Sequence, residues 1–572
     1  MLLEKLCEYS RRLEDMSPSG YDKIPIRWLI DLDAQGNFLG FITTTSGRKK
    51  DRGKVFFAPA VMKSSNVKAS LLVGNGEYVL GIPRDPAKIK RVVECHQAFV
   101  QQVHDCATAT QNPQVQAVLK FLNTMDLQSL TLPDDFDPSM NLTFQVDGTL
   151  LTDLPEVHSY WANLRREHSD ESSFGSGQCL VCGKSCIPTK RHPLKVKRIP
   201  GGQPSGMTLV SANVSAFESY GLKASQIAPV CQECAEQYAK ALNILLEQED
   251  THLIVGPVVY LFWTRQDVGF NIARLFSKPE PEQVRQLLKS ANKGTLYTAM
   301  DTEAFYATVL SASGGRVVVR DWLETTVGDI KEHLALWFNL QRITDWDGSE
   351  GSPYGLTTLA RSLIPQKGDW QRDIPPNVPR TLLKVALQGG PLPSWLLFQA
   401  IKRNKAEPQL TRPRATLIKM VLLSQQQNSQ EDNMVQLDGE NSHPAYLCGR
   451  LLAVLERIQK LAVNPKATLI DRCYGTASTA PASVFPRLIR GAQSHLGKLR
   501  KEKEGAYHGL QNRLEEICGK LMTFPAVLSL LEQGWFTLGY YHQRAWQRAQ
   551  AHRRGEQVEA IEELSTNQEQ QD

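Results

Sequence analysis

At 572 residues the chain is too long for one hydrophobic core, and about three or four compact units are expected. With 41% hydrophobic and 22% charged residues it reads as globular, which excludes a fibrous or wholly disordered chain. The formal charge of +5 is small for this length, so attraction to an anionic partner has to come from local basic clusters.

The N-terminal run MLLEKLCEYSRRLEDM alternates charged and apolar residues at helical spacing and has no apolar signal core, so it reads as an amphipathic helix. Residues 21 to 82 carry short apolar runs broken by turns (IPIRWLIDLD, FLGFITTT, KVFFAPAV, SLLVGNGEYVLGI), the grammar of strands and hairpins. From 86 to 125 the period shifts to helix, with Val92, Val93, Phe99, Val100 and Val103 on one face. NLTFQVDGTL returns to strand around an Asp147-Gly148 turn. LIVGPVVYLFW, 253 to 263, is far short of the roughly 20 residues that span a bilayer and suits a buried strand; the chain reads as soluble and cytoplasmic, with no membrane partner. GGRVVVRDWLE, 314 to 324, is a further strand.

After about 380, TLLKVALQGG, SWLLFQAIKRN, ATLIKMVLLSQ and AYLCGRLLAVLERIQKLAV read as successive helices, the last with Leu447, Leu451, Leu452, Leu455, Ile458 and Leu461 on one stripe. Two more helices are expected over about 484–522 and 525–553, and 425–442 reads as a polar linker. The predicted class is α+β: an N-terminal mixed α/β body (1–160), a Cys-rich basic insertion (161–252), a continuation of the α/β body (253–380), a helical bundle (381–555) and a polar tail (556–572).

GQCLVCGKSC, 177 to 186, and CQEC, 231 to 234, place Cys179, Cys182, Cys231 and Cys234 in a CxxC…CxxC pattern, each pair able to give two thiolates to a tetrahedral Zn²⁺ from one tight turn. Unliganded buried thiols are the alternative, and Cys186 is a possible substitute ligand. Four thiolates leave no open position, so the zinc reads as structural. Eleven cysteines without a secretion signal read as thiols, not a disulfide framework. The stretch from Ser172 to Phe217 holds no Asp or Glu but carries Lys184, Lys190, Arg191, Lys195, Lys197 and Arg198.

Catalytic patterns fail one by one. PVCQEC approaches the deaminase PCxxC element, but no histidine has Glu two positions on. His104-Asp105 is an isolated metal-type dipeptide, and GAQSHLGKL misses the P-loop by one residue between its glycines. GNGEYVLG, 74 to 81, reads as a hairpin turn. No GxSxG or HExxH occurs, and a non-enzymatic protein is expected, with a zinc-dependent nucleic-acid enzyme as the alternative.

Basic patches remain. Arg48, Lys49, Lys50, Arg52, Lys54, Lys63 and Lys68 face Asp51 alone on strand-linking loops, suited to a phosphate backbone, with Asn66 and Asn75 as readers of base edges. Toward the C-terminus, Arg487, Arg490, Lys498, Arg500, Lys501, Lys503 and Arg513 outnumber the acids between them. Arg544, Arg548, Arg553 and Arg554 follow among Trp535, Tyr540, Tyr541 and Trp546, a composition that suits single-stranded nucleic acid, although more than half of those aromatics belong in a core. A solvated surface is the alternative for both patches.

ENSHPAYLCGRLLAVLERIQ (440–459), DRCYGTASTAPASVFPRLI (471–489) and HLGKLRKE (495–502) resemble the large subunit of the type I-C CRISPR surveillance complex, Cascade, and WLIDLDAQGNFLG near the N-terminus is similar too. Cys473 stands where an aromatic is expected, a packing change. The resemblance, extended over the whole chain, implies a non-enzymatic subunit for antiviral defence. It would sit at the CRISPR RNA handle beside backbone and handle-binding subunits, read the protospacer-adjacent motif on target duplex DNA, hold the displaced strand of the R-loop and recruit the nuclease-helicase. Lys49, Lys50, Arg52, Asn66 and Asn75 would then lie in the motif reader. The helical bundle would line the displaced strand, and Met434 would start an internally translated helical small subunit, 434–572.

Overall fold

The computed structural model describes residues 2–13, 18, 20–45, 51–61, 67–124, 130–170, 177–189, 191–212, 214–292, 301–365, 373–407, 410–426 and 434–568. The chain divides into two compact units, one of residues 1–198, 202–247 and 313–318, the other of 199–201, 248–312 and 319–572. In this division the Cys-rich segment groups with the N-terminal body, and most of the strands after 252 group with the C-terminal helices.

In the first unit, β1 (Tyr21–Ile26), β2 (Trp28–Leu32), β3 (Phe38–Thr43), β4 (Lys54–Pro59) and β5 (Val73–Asn75) are followed by helices α2 (Gly76–Val79), α3 (Ile89–Thr110) and α4 (Pro113–Thr124), then β6 (Asn141–Val146) and β7 (Thr149–Leu150). The central sheet has the order β3-β2-β6-β5, with β7 on β6. β2 and β6 run parallel, in register Trp28↔Leu142 and Ile30↔Phe144. Parallel neighbours need a long crossover, and α3 and α4 lie within the chain that supplies it. Alternation then sorts β2: Trp28, Ile30 and Leu32 enter the core with Phe99, Val103, Phe121 and Phe144. Leu29, on the other face, joins Ile26 and Ala58 of the β1–β4 ribbon and Val73 of β5. Asp147 and Gly148 both take positive φ, as a two-residue hairpin between β6 and β7 requires. α5 (Pro155–Asp170) and a Cys knuckle, β8 (Gly177–Gln178) with β9 (Ser185–Cys186), lead to α6 (Gln232–Leu245), which packs against α1 (Leu2–Arg11).

GNGEYVLG is not a hairpin turn. β5 ends at Asn75, whose side chain accepts from the Tyr78 N–H and caps α2. A capping amide that satisfies a helix start outcompetes the turn expected from its flanking glycines.

A second, antiparallel sheet, β10 (His252–Val255), β11 (Val258–Thr264), β12 (Ala304–Ser313) and β13 (Arg316–Thr326), paired in sequence order, lies in the second unit except for residues 313–318. Every residue of β11 is buried. Helices follow: α7 (Ile272–Ser277) and α8 (Pro281–Asn292) between β11 and β12, then α9 (Val327–Gln341), α10 (Leu356–Arg361), α11 (Asn377–Gln388), α12 (Ser394–Ala406) and α13 (Arg412–Ser424). α14 (Pro444–Val463), α15 (Leu469–Ala477), α16 (Pro481–Glu502), α17 (Glu504–Lys520) and α18 (Leu530–Gln568) complete the unit. Sheet and helices share one core, from Leu253 through Phe338 and Leu451 to Tyr541, with Cys473 packed against it. The helix expected over 484–522 breaks at Lys503, and the last helix continues to Gln568 where a tail was expected. The linker reading holds only for composition, because Met434 is buried and the Val435 carbonyl accepts from the Thr344 N–H at 2.7 Å. Among the described residues, no helix is long and apolar enough to cross a membrane.

Candidate metal centre and nucleic-acid interface

The knuckle is built by backbone bonds. The Cys179 N–H donates to the Lys184 carbonyl and the Gly183 N–H to the Cys179 carbonyl, both at 2.9 Å. Gly183 sits at φ +70°, a conformation that glycine adopts at least cost. Cys231 is the N-cap of α6, and its sulfur accepts from the Cys234 N–H at 3.5 Å. The Cys179 sulfur accepts from the Cys231 N–H at 3.3 Å. These bonds bring two distant CxxC turns together, and the sulfurs of Cys179, Cys182, Cys231 and Cys234 all lie within 4.8 Å of one another.

The donor set fits a metal. Sulfurs about 2.3 Å from a tetrahedral ion stand roughly 3.8 Å apart, and the Cys182 and Cys231 sulfurs are 3.9 Å apart. Burial raises the Cys179 thiol, yet N–H donors from Cys182, Cys231 and Val181 outweigh it and bring it down to about 7. The Cys231 thiol is pushed up by its hydrogen bond with Cys234 and then by burial, and burial also raises Cys182. Crowded thiolates repel unless a cation lies among them, so these four groups suit an ion that takes all their negative charge.

Cys186 is pushed up to about 11 by burial and by the neighbouring Cys179, and its sulfur stands outside the group of four. Cys7 on α1 escaped the sequence reading. Its thiol donates to the Cys234 carbonyl at 3.5 Å from 227 positions away, a distance at which no local spacing signals the contact. His104 and Asp105 are both exposed on α3, and no third ligand joins them among the described residues.

The strand-linking basic loop is anchored at its ends. Thr44 donates its N–H to the Arg27 carbonyl at 3.0 Å, and Arg27 donates to the Asp51 carbonyl at 2.6 Å. At Gly53 a Cβ would lie 1.9 Å from the Ile26 carbonyl oxygen, so only glycine fits where the loop enters β4. Arg52, Lys54 and Lys68 are exposed. Arg48, Lys49, Lys50, Lys63 and Asn66 lie outside the described residues. Asn75 is occupied as the α2 cap, with its amide nitrogen 3.4 Å from Glu77, which corrects its reading as a free base reader.

On α16, Arg487, Arg490, Lys498, Arg500 and Lys501 are all exposed. The helical repeat of 100° per residue puts Arg487, Arg490, Lys498 and Lys501 on one face and Arg500 on another. Lys498 has Glu502 at 3.9 Å, an exposed pair worth little.

The last helix turns aromatics inward, as the sequence reading allowed, and departs from expectation at Arg544. Tyr540 and Tyr541 are fully buried, Trp535 stacks on His443 with centroids 5.5 Å apart, and Arg513 covers Trp546 at 4.3 Å. Arg544 is bonded to the Tyr540 hydroxyl at 3.0 Å and lies 3.8 Å from Glu456, so it is a structural cation and not a free one. Arg548 is exposed, with its guanidinium 4.4 Å over Trp346. The side chains of Arg553 and Arg554 lie outside the described residues. Period-3.6 packing is the reason: an aromatic interleaved with arginines on a helix faces the core whenever it falls on the apolar stripe.

Residues 6–547 match the family described as CRISPR-associated protein (Cas_Csd1). No curated protein matches. A match over nearly the whole length, with the wording of α14 to α16 inside it, makes the chain a member of the Csd1 family of CRISPR-associated proteins, a Cascade subunit.

Proposed function

We propose that the chain is the non-catalytic, nucleic-acid-binding large subunit of a type I-C Cascade, working with CRISPR RNA, target duplex DNA and the neighbouring backbone and handle-binding subunits. The observation that carries this reading is the family match over residues 6–547. The loop between β3 and β4, entering at Arg52 and Lys54, reads the protospacer-adjacent motif. The exposed face of Arg487, Arg490, Lys498 and Lys501 holds the displaced strand of the R-loop, and another surface recruits the nuclease-helicase. Zn²⁺ in the Cys179, Cys182, Cys231 and Cys234 site acts structurally, fixing the knuckle to the start of α6. Met434 opens an internally translated small subunit, a reading supported by α14 and α18, the most extensively paired helices, both lying within 434–572.

Binding of the assembled complex to target duplex, measured across salt concentration, tests the nucleic-acid role. Each phosphate neutralised on a single strand adds about 0.7 to the slope of log affinity against log salt. Replacing Arg487, Arg490, Lys498 and Lys501 by Gln together should lower that slope by roughly 2 to 3 while the complex still assembles. An unchanged slope removes the α16 face from the interface. Absence of DNA binding by the wild-type complex at low salt overturns the reading itself.

A further inference from the structure

Glu456, Arg457 and Lys460 on α14 stand at positions i, i+1 and i+4, and Arg544, Gln547 and Arg548 on α18 at i, i+3 and i+4, so each set clusters toward one side of its helix. The two sets line a cavity of about 110 Å³, far above the roughly 10–15 Å³ that admits one water. Four cations meet one carboxylate there, leaving the lining at +3. Glu456 already has charges close by: Lys460 lies 2.7 Å from it, the Tyr540 hydroxyl donates to it at 2.6 Å, and Arg544 lies 3.8 Å away. Among the described residues neither Arg457 nor Arg548 has a carboxylate within 4 Å, although Glu456 acts on Arg548 from farther off. The Nε2 of Gln547 is sealed from solvent with no hydrogen-bond partner among the described residues. Burial, and then the nearby Arg544, lower the Arg548 pKa, outweighing the opposing pull of Tyr540 and Glu456.

We propose that this cavity binds a tetrahedral phosphate oxyanion, clamped by the guanidinium groups of Arg457 and Arg548, with Gln547 Nε2 as a neutral donor. Guanidinium forks match phosphate oxygens in pairs, and Trp346 beneath Arg548 restricts that fork's orientation. An excess of +3 in a partly enclosed site favours an ion of more than one negative charge over chloride. The phosphate comes from a nucleic-acid backbone or from solution. The first source rests on the function proposed above, and binding of free phosphate does not.

Melting of the full-length protein in inorganic phosphate, against chloride at matched ionic strength, tests the site. Phosphate should raise the melting temperature of the wild type. Its apparent affinity should fall about tenfold in Arg457→Gln and in Arg548→Gln, with Arg548→Lys between these and the wild type. Competition of a short single-stranded oligonucleotide with phosphate, lost in the same variants, identifies the backbone as the source. Phosphate binding without competition identifies the free anion and counts against the strand path, not against the site. Equal stabilisation by phosphate and chloride, or equal responses of wild type and both Gln variants, overturns the proposal.

Discussion

Lys419 on α13 is fully buried, and its ammonium donates to the Arg342 carbonyl. Burial, and then the Arg342 charge, push its pKa down to about 7, against an ordinary 10.5. Between these values the folded amine is neutral and the unfolded amine is charged, so unfolding takes up a proton. The destabilisation is complete below about pH 7 and is relieved as pH rises toward 10.5. Lys419→Met removes it. Urea unfolding at pH 7 and pH 9 should show the variant gaining more at pH 7, with a slope difference of up to about 1.4 kcal/mol per pH unit. Parallel pH profiles would refute the assignment. A lysine amid Ile418, Met420 and Val421 is legible as a helix residue, but its burial is not, because only the surrounding helices determine which face is sealed.

Glycines separate helix–helix contact from exposed helix surface. On α14, a Cβ at Gly449 would lie 1.9 Å from the Phe536 carbonyl oxygen, and one at Gly539 of α18 would lie 2.1 Å from that of Tyr446. These positions let the two backbones touch. On α16, a Cβ at Gly491 meets nothing within 4 Å. Gly449→Ala should therefore destabilise by about 2–3 kcal/mol or more, since backbone must move. Gly491→Ala should stabilise by roughly 0.5–1 kcal/mol through helix propensity. Thermal melts of the two variants check the pair, and a neutral Gly449→Ala would mean that the helices do not cross there. At this scale the sequence was readable where period was strong: β2, β6, α3 and α14 lie where their patterns put them, while 253–263, read as a buried strand, folds as the hairpin of β10 and β11. It failed at Lys503, where residues with good helix propensity on both sides hide a break, and at Asn75, where a cap resembles a turn residue.

The two units keep separate cores. One contains Phe99, Phe144 and Trp161, and the other runs through Phe338, Leu451 and Tyr541. The cysteine site lies wholly in the first. Purified protein should carry one equivalent of zinc. Chelation should then raise amide hydrogen exchange in 177–186 and 231–245 while leaving α14 and α18 protected. Protein free of metal, with exchange in those segments unchanged by chelator, would leave buried thiols as the better account.

By itself the sequence determined the α+β class, the paired CxxC turns, the family wording and the basic composition of α16, because each is written in local period, spacing or word order. The tertiary structure alone decided that the Cys-rich segment joins the N-terminal body, that Cys7 reaches Cys234, that Asn75 and Arg544 are engaged internally, and that Arg457 and Arg548 share a cavity. These facts depend on contacts between positions far apart in the chain, which are fixed only when the apolar faces have been buried together.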